Sequence, residues 1–291
     1  NKFIDNHAGN LGKRVGHKAA EVFVERLRET YDQTKRDLPT WLHRPAIEQH
    51  AQNHQWMGPE NRFVEGLCEV LLSWVDHDTS SSKQFVQALI TDDANILRRI
   101  GIHVVDRRWD KLRQVFLPFI GLRLFDDESL HEVYGLLQRH FETFNDTQKA
   151  NIVEAIKQLG ELSDDEEENR QLHRIQRTWL SALCGKGYEP ADTWFNDLNS
   201  DRSIGHLSEH PDFHSYMESW TGHGPAPYQP QGLIVFAENG SLIERLNDFQ
   251  EQDSWRGPTT RALVDSLEAA VALAPNTFLR LLNDFINAKR P

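Results

Sequence analysis

The chain has 291 residues, 38% hydrophobic and 26% charged, which supplies a sizeable core and excludes a chain too polar to fold. Its formal net charge of −12 repels phosphate backbones in bulk, so nucleic acid is not an expected partner, and the same charge serves solubility. No apolar run approaches the roughly 18 residues of a membrane span, and the start, Asn1-Lys2-Phe3-Ile4-Asp5, has no signal-peptide core.

Helical periodicity runs through most of the chain. Ala19, Ala20, Val22, Phe23, Leu27, Tyr31 and Leu38 predict a helix over 18–38, ended by Pro39. Pro45 suits a first turn and predicts a shorter helix over 44–53. Phe63, Val64, Leu67, Val70, Leu71, Trp74 and Val75 form one stripe of a helix over 60–76. The polar run 77–82 reads as a turn rich in N-cap residues before a short helix over 83–90. Thr91-Asp92-Asp93 caps the next helix. It carries Ile96, Leu97, Ile100, Ile102, Val104 and Val105, and is apolar around so much of its circumference that it should be packed on several sides. A helix over 107–116 follows, broken at Pro118.

Three more helices are predicted over 128–144, 147–162 and 164–184. The acidic start of the last, 163–168, suits the positive end of a helix dipole better than a metal site. From 185 to 230 Gly, Pro, Ser, Asn and His accumulate, with short helices predicted at 190–198 and 211–220 and a loop over 221–230. Helix returns over 241–249, 259–274 and 275–286, the second opened by Gly257-Pro258-Thr259-Thr260. Only Leu233-Ile234-Val235-Phe236 competes for a strand.

The pattern implies an all-α fold, an α-solenoid of degenerate HEAT- or TPR-like antiparallel helix pairs with a rhythm of roughly 35–45 residues. It divides into a helical-repeat region over 1–184, a loop-rich connector over 185–230 and a terminal helical region over 231–291, with one continuous solenoid as the alternative. Cys68 and Cys184 lie in apolar runs, are too few for a disulfide framework and form no CxxC pair; a reducing cytoplasm fits them. The chain begins with Asn rather than Met, which suggests a piece of a longer polypeptide.

Motifs for chemistry are sparse. His206-Leu207-Ser208-Glu209-His210 matches H-x-x-E-H, in which two His one helical turn apart hold zinc and a Glu activates its water; His214 could complete a cluster. Gly205 before it and Pro211 after it oppose the required long helix, since Pro211 disfavours the α region at His210. A metallohydrolase using His206, Glu209 and His210 is therefore the alternative rather than the expectation, and no cofactor or metal is expected. Gly9-Asn10-Leu11-Gly12-Lys13-Arg14 only superficially resembles a phosphate loop, and no nucleophile elbow occurs. The basic cluster Arg98, Arg99, Arg107, Arg108, Lys111 and Arg113 around Trp109 reads either as a patch for an acidic partner or as the outer faces of two helices. Trp41, Trp56, Trp194, Trp220 and Trp255 sit near helix ends or loops, as partner hot spots or as packing pins. The candidate partner-binding residues are Trp194, Trp220, Tyr228, Arg107 and Arg108.

Three stretches resemble segments of the C-terminal helical-repeat region of bacterial antiviral STAND ATPases of the Avs family: 41–53 (Trp41-Leu42-His43-Arg44-Pro45 onward), 96–106 (Ile96-Leu97-Arg98-Arg99-Ile100 onward) and Trp255-Arg256-Gly257-Pro258-Thr259. The resemblance spans most of the chain but carries no catalytic signature and assigns no contact residues. It implies the sensor part of a three-part machine, with an effector and a P-loop ATPase elsewhere and a sensor that binds a phage protein such as a terminase large subunit or a portal. The expected function is a protein-binding helical-repeat module without catalysis of its own; a generic structural scaffold is a further alternative.

Overall fold

A computed structural model describes residues 2–34, 39–55, 59–217, 224–251 and 257–286. Among these residues the secondary structure is helical with no strand, and no helix is long and apolar enough to cross a membrane. Contacts divide the chain into two compact units, Asn1–Met217 and Glu218–Pro291, the boundary falling inside the expected connector.

Glycines shape the start of the first unit. Helix α1 (Lys2–Thr34) bends at Gly16, where φ is 14° and ψ −85°. Both halves lie along α3 (Pro59–His77): Ile4 from the first and Phe23 from the second close on Gly66, and Ser73 Oγ donates to the Gly9 carbonyl at 2.6 Å. A Cβ on Gly12 would run into the Val70 carbonyl, and one on Gly16 would sit 2.7 Å from the Trp74 ring. The helix thus starts well before the predicted position 18, because these glycines serve backbone approach rather than a loop.

Residues 44–50 are not helical, contrary to the helix expected over 44–53. The chain makes one turn, α2 (Thr40–His43), and later a 3-10 turn, Ala51–Gln55. Arg44 supplies the reason. Its buried guanidinium donates to the carbonyls of Ala46 (2.7 Å) and Ile47 (2.9 Å) and to Asn61 Oδ1 (3.2 Å), holding carbonyls that a helix would have turned along its axis.

Next come α4 (Thr79–Ile90), α5 (Asn95–Arg107) and α6 (Trp109–Phe116). Helix α4 starts earlier than position 83, because Asp78 caps it by accepting from Ser81 N at 3.1 Å. In α5 every residue from Ile96 to Asp106 is buried, as its all-round apolar pattern requires. Helices α7 (Leu130–His140), α8 (Asp146–Lys157), α9 (Glu166–Leu183) and α10 (Glu189–Ser200) complete the unit. Asn145 and Gln148 close a reciprocal capping box on α8. Asp165 caps α9, so the acidic run is a helix start. One core runs from Ala8 to Ile204, with Phe116, Phe141 and Trp179 deepest. Burying one such side chain contributes about 1.5–3 kcal/mol.

The second unit holds α11 (Pro230–Glu238), α12 (Leu242–Asp248), α13 (Thr260–Leu273), α14 (Pro275–Leu279) and α15 (Leu282–Phe285). Leu233–Phe236, the one candidate strand, is helical: Pro230 opens the turn, and Leu233 and Ala237, four apart, enter a core with Leu242, Leu263 and Phe278. Thr259 caps α13 by accepting from Ala262 N at 3.2 Å.

Candidate binding pocket and its ion-pair frame

The pocket rests on a buried charge network. Arg99 and Glu132 face each other from α5 and α7, Nε to Oε2 at 2.7 Å and Nη2 to Oε1 at 3.0 Å. Arg99 also reaches Thr40 Oγ1 (3.2 Å) and the Pro45 carbonyl (3.0 Å), and Glu132 accepts from Ile47 N at 2.9 Å. Burial raises the Glu132 pKa, but Arg99, His131 and the Ile47 N–H together hold it below its ordinary value. Glu128 accepts from both N (2.9 Å) and Oγ1 (2.8 Å) of Thr40. Residues 40–47 are thereby fastened across the N-terminal end of α7.

A second segment, 205–217, returns over the first. Gln52 makes a reciprocal pair with Met217, Nε2 to carbonyl at 2.8 Å and backbone N to Oε1 at 2.9 Å. His214 packs on Trp41 with ring centroids 4.4 Å apart and planes tilted by 32°, and its Nε2 lies 2.6 Å from the Asp127 carbonyl. His131 is clasped from both sides, Nε2 3.5 Å from Glu48 and Nδ1 2.9 Å from Asp212, the latter off the ideal hydrogen-bond axis. Burial disfavours its charge, yet the two carboxylates outweigh burial and raise its pKa to about 9, while Glu48 is held down at about 2, chiefly by its bond to His131. Phe213 packs on the rings of His131 (4.4 Å) and His50 (4.9 Å), and His210 stacks on Tyr216.

Between the two segments and α7 lies a pocket of about 150 Å³. Trp41, Leu42, Pro45, Leu130, Phe213 and Met217 wall it, with Asp127, Glu128, His131 and Asp212 among its polar groups. A cavity near this volume holds about one ring-sized group.

The H-x-x-E-H run lies in this segment but not on a helix: 205–217 is irregular, His206 and Glu209 are exposed, and His210 is taken up by Tyr216. The two His therefore do not stand one helical turn apart. The helix expected from Pro211 is likewise absent over 211–217, where Gln52, His131 and Asp127 bind the chain instead. Among the described residues no group of three or more His, Cys, Asp or Glu is placed to hold a metal ion.

The basic cluster is dispersed. Arg98 pairs with Asp126 and Arg99 with Glu132, while Arg108 and Lys111 share Asp76. Those two cations hold the Asp76 pKa down at about 2. Trp109 is core, stacked on His140 at 4.6 Å with its indole N–H on Thr143. Arg107 remains exposed at the end of α5. Trp194 is half-buried against the first core, and Tyr228 packs edge-on to Phe236 at 5.3 Å in the second unit. Trp56, Trp220 and Trp255 lie outside the residues whose side chains are described.

Glu48, Glu132, His131 and Asp212 were not singled out in the sequence, where no local spacing joins them. One signal was present: Arg98-Arg99 inside an apolar helix, and Glu132 between Leu130 and Val133, are charges on buried faces that require partners.

No known protein-family model, curated protein or solved structure matches this chain.

Proposed function

We propose that this chain is a protein-binding helical module without catalysis of its own, serving as the target-sensing part of a larger antiphage defence protein. The observation that carries the binding reading is the pocket over α7. It is concave and sized for one side chain, its walls are aromatic and apolar with polar groups around them, and an ion-paired, hydrogen-bonded frame holds it. Pre-organised pockets of that make-up anchor hot-spot side chains of protein partners. The defence assignment rests on the resemblance of 41–53 and 96–106 to sensor regions of STAND ATPases. Those stretches are the ones that build the pocket wall and the central helix.

The test is capture of purified phage terminase large subunits and portal proteins on the immobilised full chain, alongside the Trp41→Ala/Phe213→Ala double variant. The expected result is binding of at least one of them, weakened in the variant by about 2 kcal/mol or more. Binding to none of them, with binding to an unrelated protein, removes the defence assignment. Equal binding by the variant removes the pocket from it.

A further inference from the structure

A larger cleft, about 460 Å³, opens on another face of the first unit, between the first half of α1, the 47–49 segment, α3 and α5. Helix spacing builds it. Glu65 lies three and four residues before Cys68 and Glu69, and Leu72 four and three after them, so the four share one face of α3, while His103 and Arg107 stand four apart on α5. The volume falls in the range of small-molecule sites, roughly 300–1,000 Å³.

Its ionisable groups other than Cys68 fall into two sets. Glu48, Glu65 and Arg62 are committed: Glu48 to His131, Glu65 to Arg44 and Arg62. Glu69, Arg107 and His103 are not. Each lines the cleft, and none has a side-chain hydrogen bond or ion pair among the described residues. His103 is the telling one, because it is only 9% exposed. Burial lowers its pKa, so it faces the cleft as a neutral imidazole with one donor and one acceptor. Its ring nitrogens are not among the fully covered side-chain atoms that lack a partner, so they open on the cleft, where a bound group can meet them. Around it stand one spare carboxylate, one spare guanidinium and an apolar lining that includes Ala8, Ile47 and Leu72.

The geometry points to a binding site for a small zwitterion of the amino-acid class, its ammonium on Glu69, its carboxylate on Arg107, its polar backbone edge on His103 and an apolar side chain against Ile47 and Leu72. This site is separate from the pocket over α7 and does not depend on the protein-binding reading.

The experiment uses the full chain and calorimetric titration with each free L-amino acid at millimolar concentration. For every one that binds, it adds the matching amine without carboxylate and the matching acid without amine. Glu69 and Arg107 are exposed, so Glu69→Arg and Arg107→Glu should leave folding intact, which circular dichroism checks. The expected result is one-site binding of an apolar amino acid, weakened about tenfold or more by either variant, as loss of one charge-assisted hydrogen bond requires. The His103 ring resonances should move on titration. Absence of binding by every amino acid overturns the proposal. So does equal binding by both variants, or binding of an amine or acid alone as tight as that of the zwitterion.

Discussion

Arg99 on α5 and Glu132 on α7 meet as a two-point ion pair with essentially no exposed surface on either side chain, 0% and 2%. The pair ties the central helix to the helix that floors the pocket, and through Thr40, Pro45 and Ile47 it fixes α2 and the irregular 44–47 stretch after it. Removing one partner leaves the other buried and charged. Glu132→Ala should therefore destabilise the first unit by about 3–5 kcal/mol. The double change Arg99→Met/Glu132→Leu should recover much of that loss, because desolvation of both charges disappears with the pair. Urea unfolding of the three proteins measures it, and a double variant no more stable than the single one refutes the reading.

The His131 clasp makes stability depend on pH. Its pKa is raised in the folded state from an ordinary 6.5 to about 9. The stabilisation is thus fully present below about 6.5 and lost as pH rises through 9. The loss should be on the order of 3 kcal/mol. Glu48, held at about 2 against an ordinary 4.5, contributes above 4.5 and is lost as pH falls through 2. His50, 6.0 Å from His131 and pushed down chiefly by burial, works against the folded state as acid protonates it. Melting temperatures from pH 6 to 10 should fall for the natural protein and stay flatter for His131→Asn.

Close packing at the bend of α1 gives a third expectation. Gly12→Ala places a methyl group against the Val70 carbonyl, and backbone cannot yield as a side-chain tip can. The cost should be about 1–3 kcal/mol, whereas alanine at Gly9, whose added carbon would meet only Ser73 Oγ at 4.0 Å, should be neutral or slightly favourable. Thermal melts of the two variants separate these outcomes.

The cysteines differ in access. Cys68 is buried, and burial pushes its thiol up to about 12; Cys184 is half-buried with a raised pKa as well, from burial and from Asp192. Both should be slow towards maleimide at neutral pH, Cys184 being modified first. Peptide mass mapping over time decides it, and early labelling of Cys68 would show that the cleft wall opens.

Legibility in the sequence followed how local each cause is. Helices α3, α5 and α9 could be read because apolar steps of three and four residues record a buried face directly. The first half of α1 could not: much of its face towards α3 is Gly9, Gly12 and Gly16, and absent side chains leave little hydrophobic signal beside Ile4 and Ala8. The 44–50 segment misled because Pro45 is a good helix opener, and nothing nearby announces that Arg44 will take the carbonyls of Ala46 and Ile47. The pocket was least legible of all. Trp41 and His214 both stand out in the sequence, but their contact depends on pairings such as Gln52 with Met217, 165 positions apart, which no window along the chain contains.

That last separation bears on synthesis. The 205–217 segment has nowhere to dock until residues 39–55, α5 and α7 are in place, and closing so long a span is late and entropically costly. A growing chain therefore finishes this pocket after almost all of the first unit has been made. Its closure by Met217 and His214 reports that the unit is complete, and a truncated product would carry the helices but not the pocket.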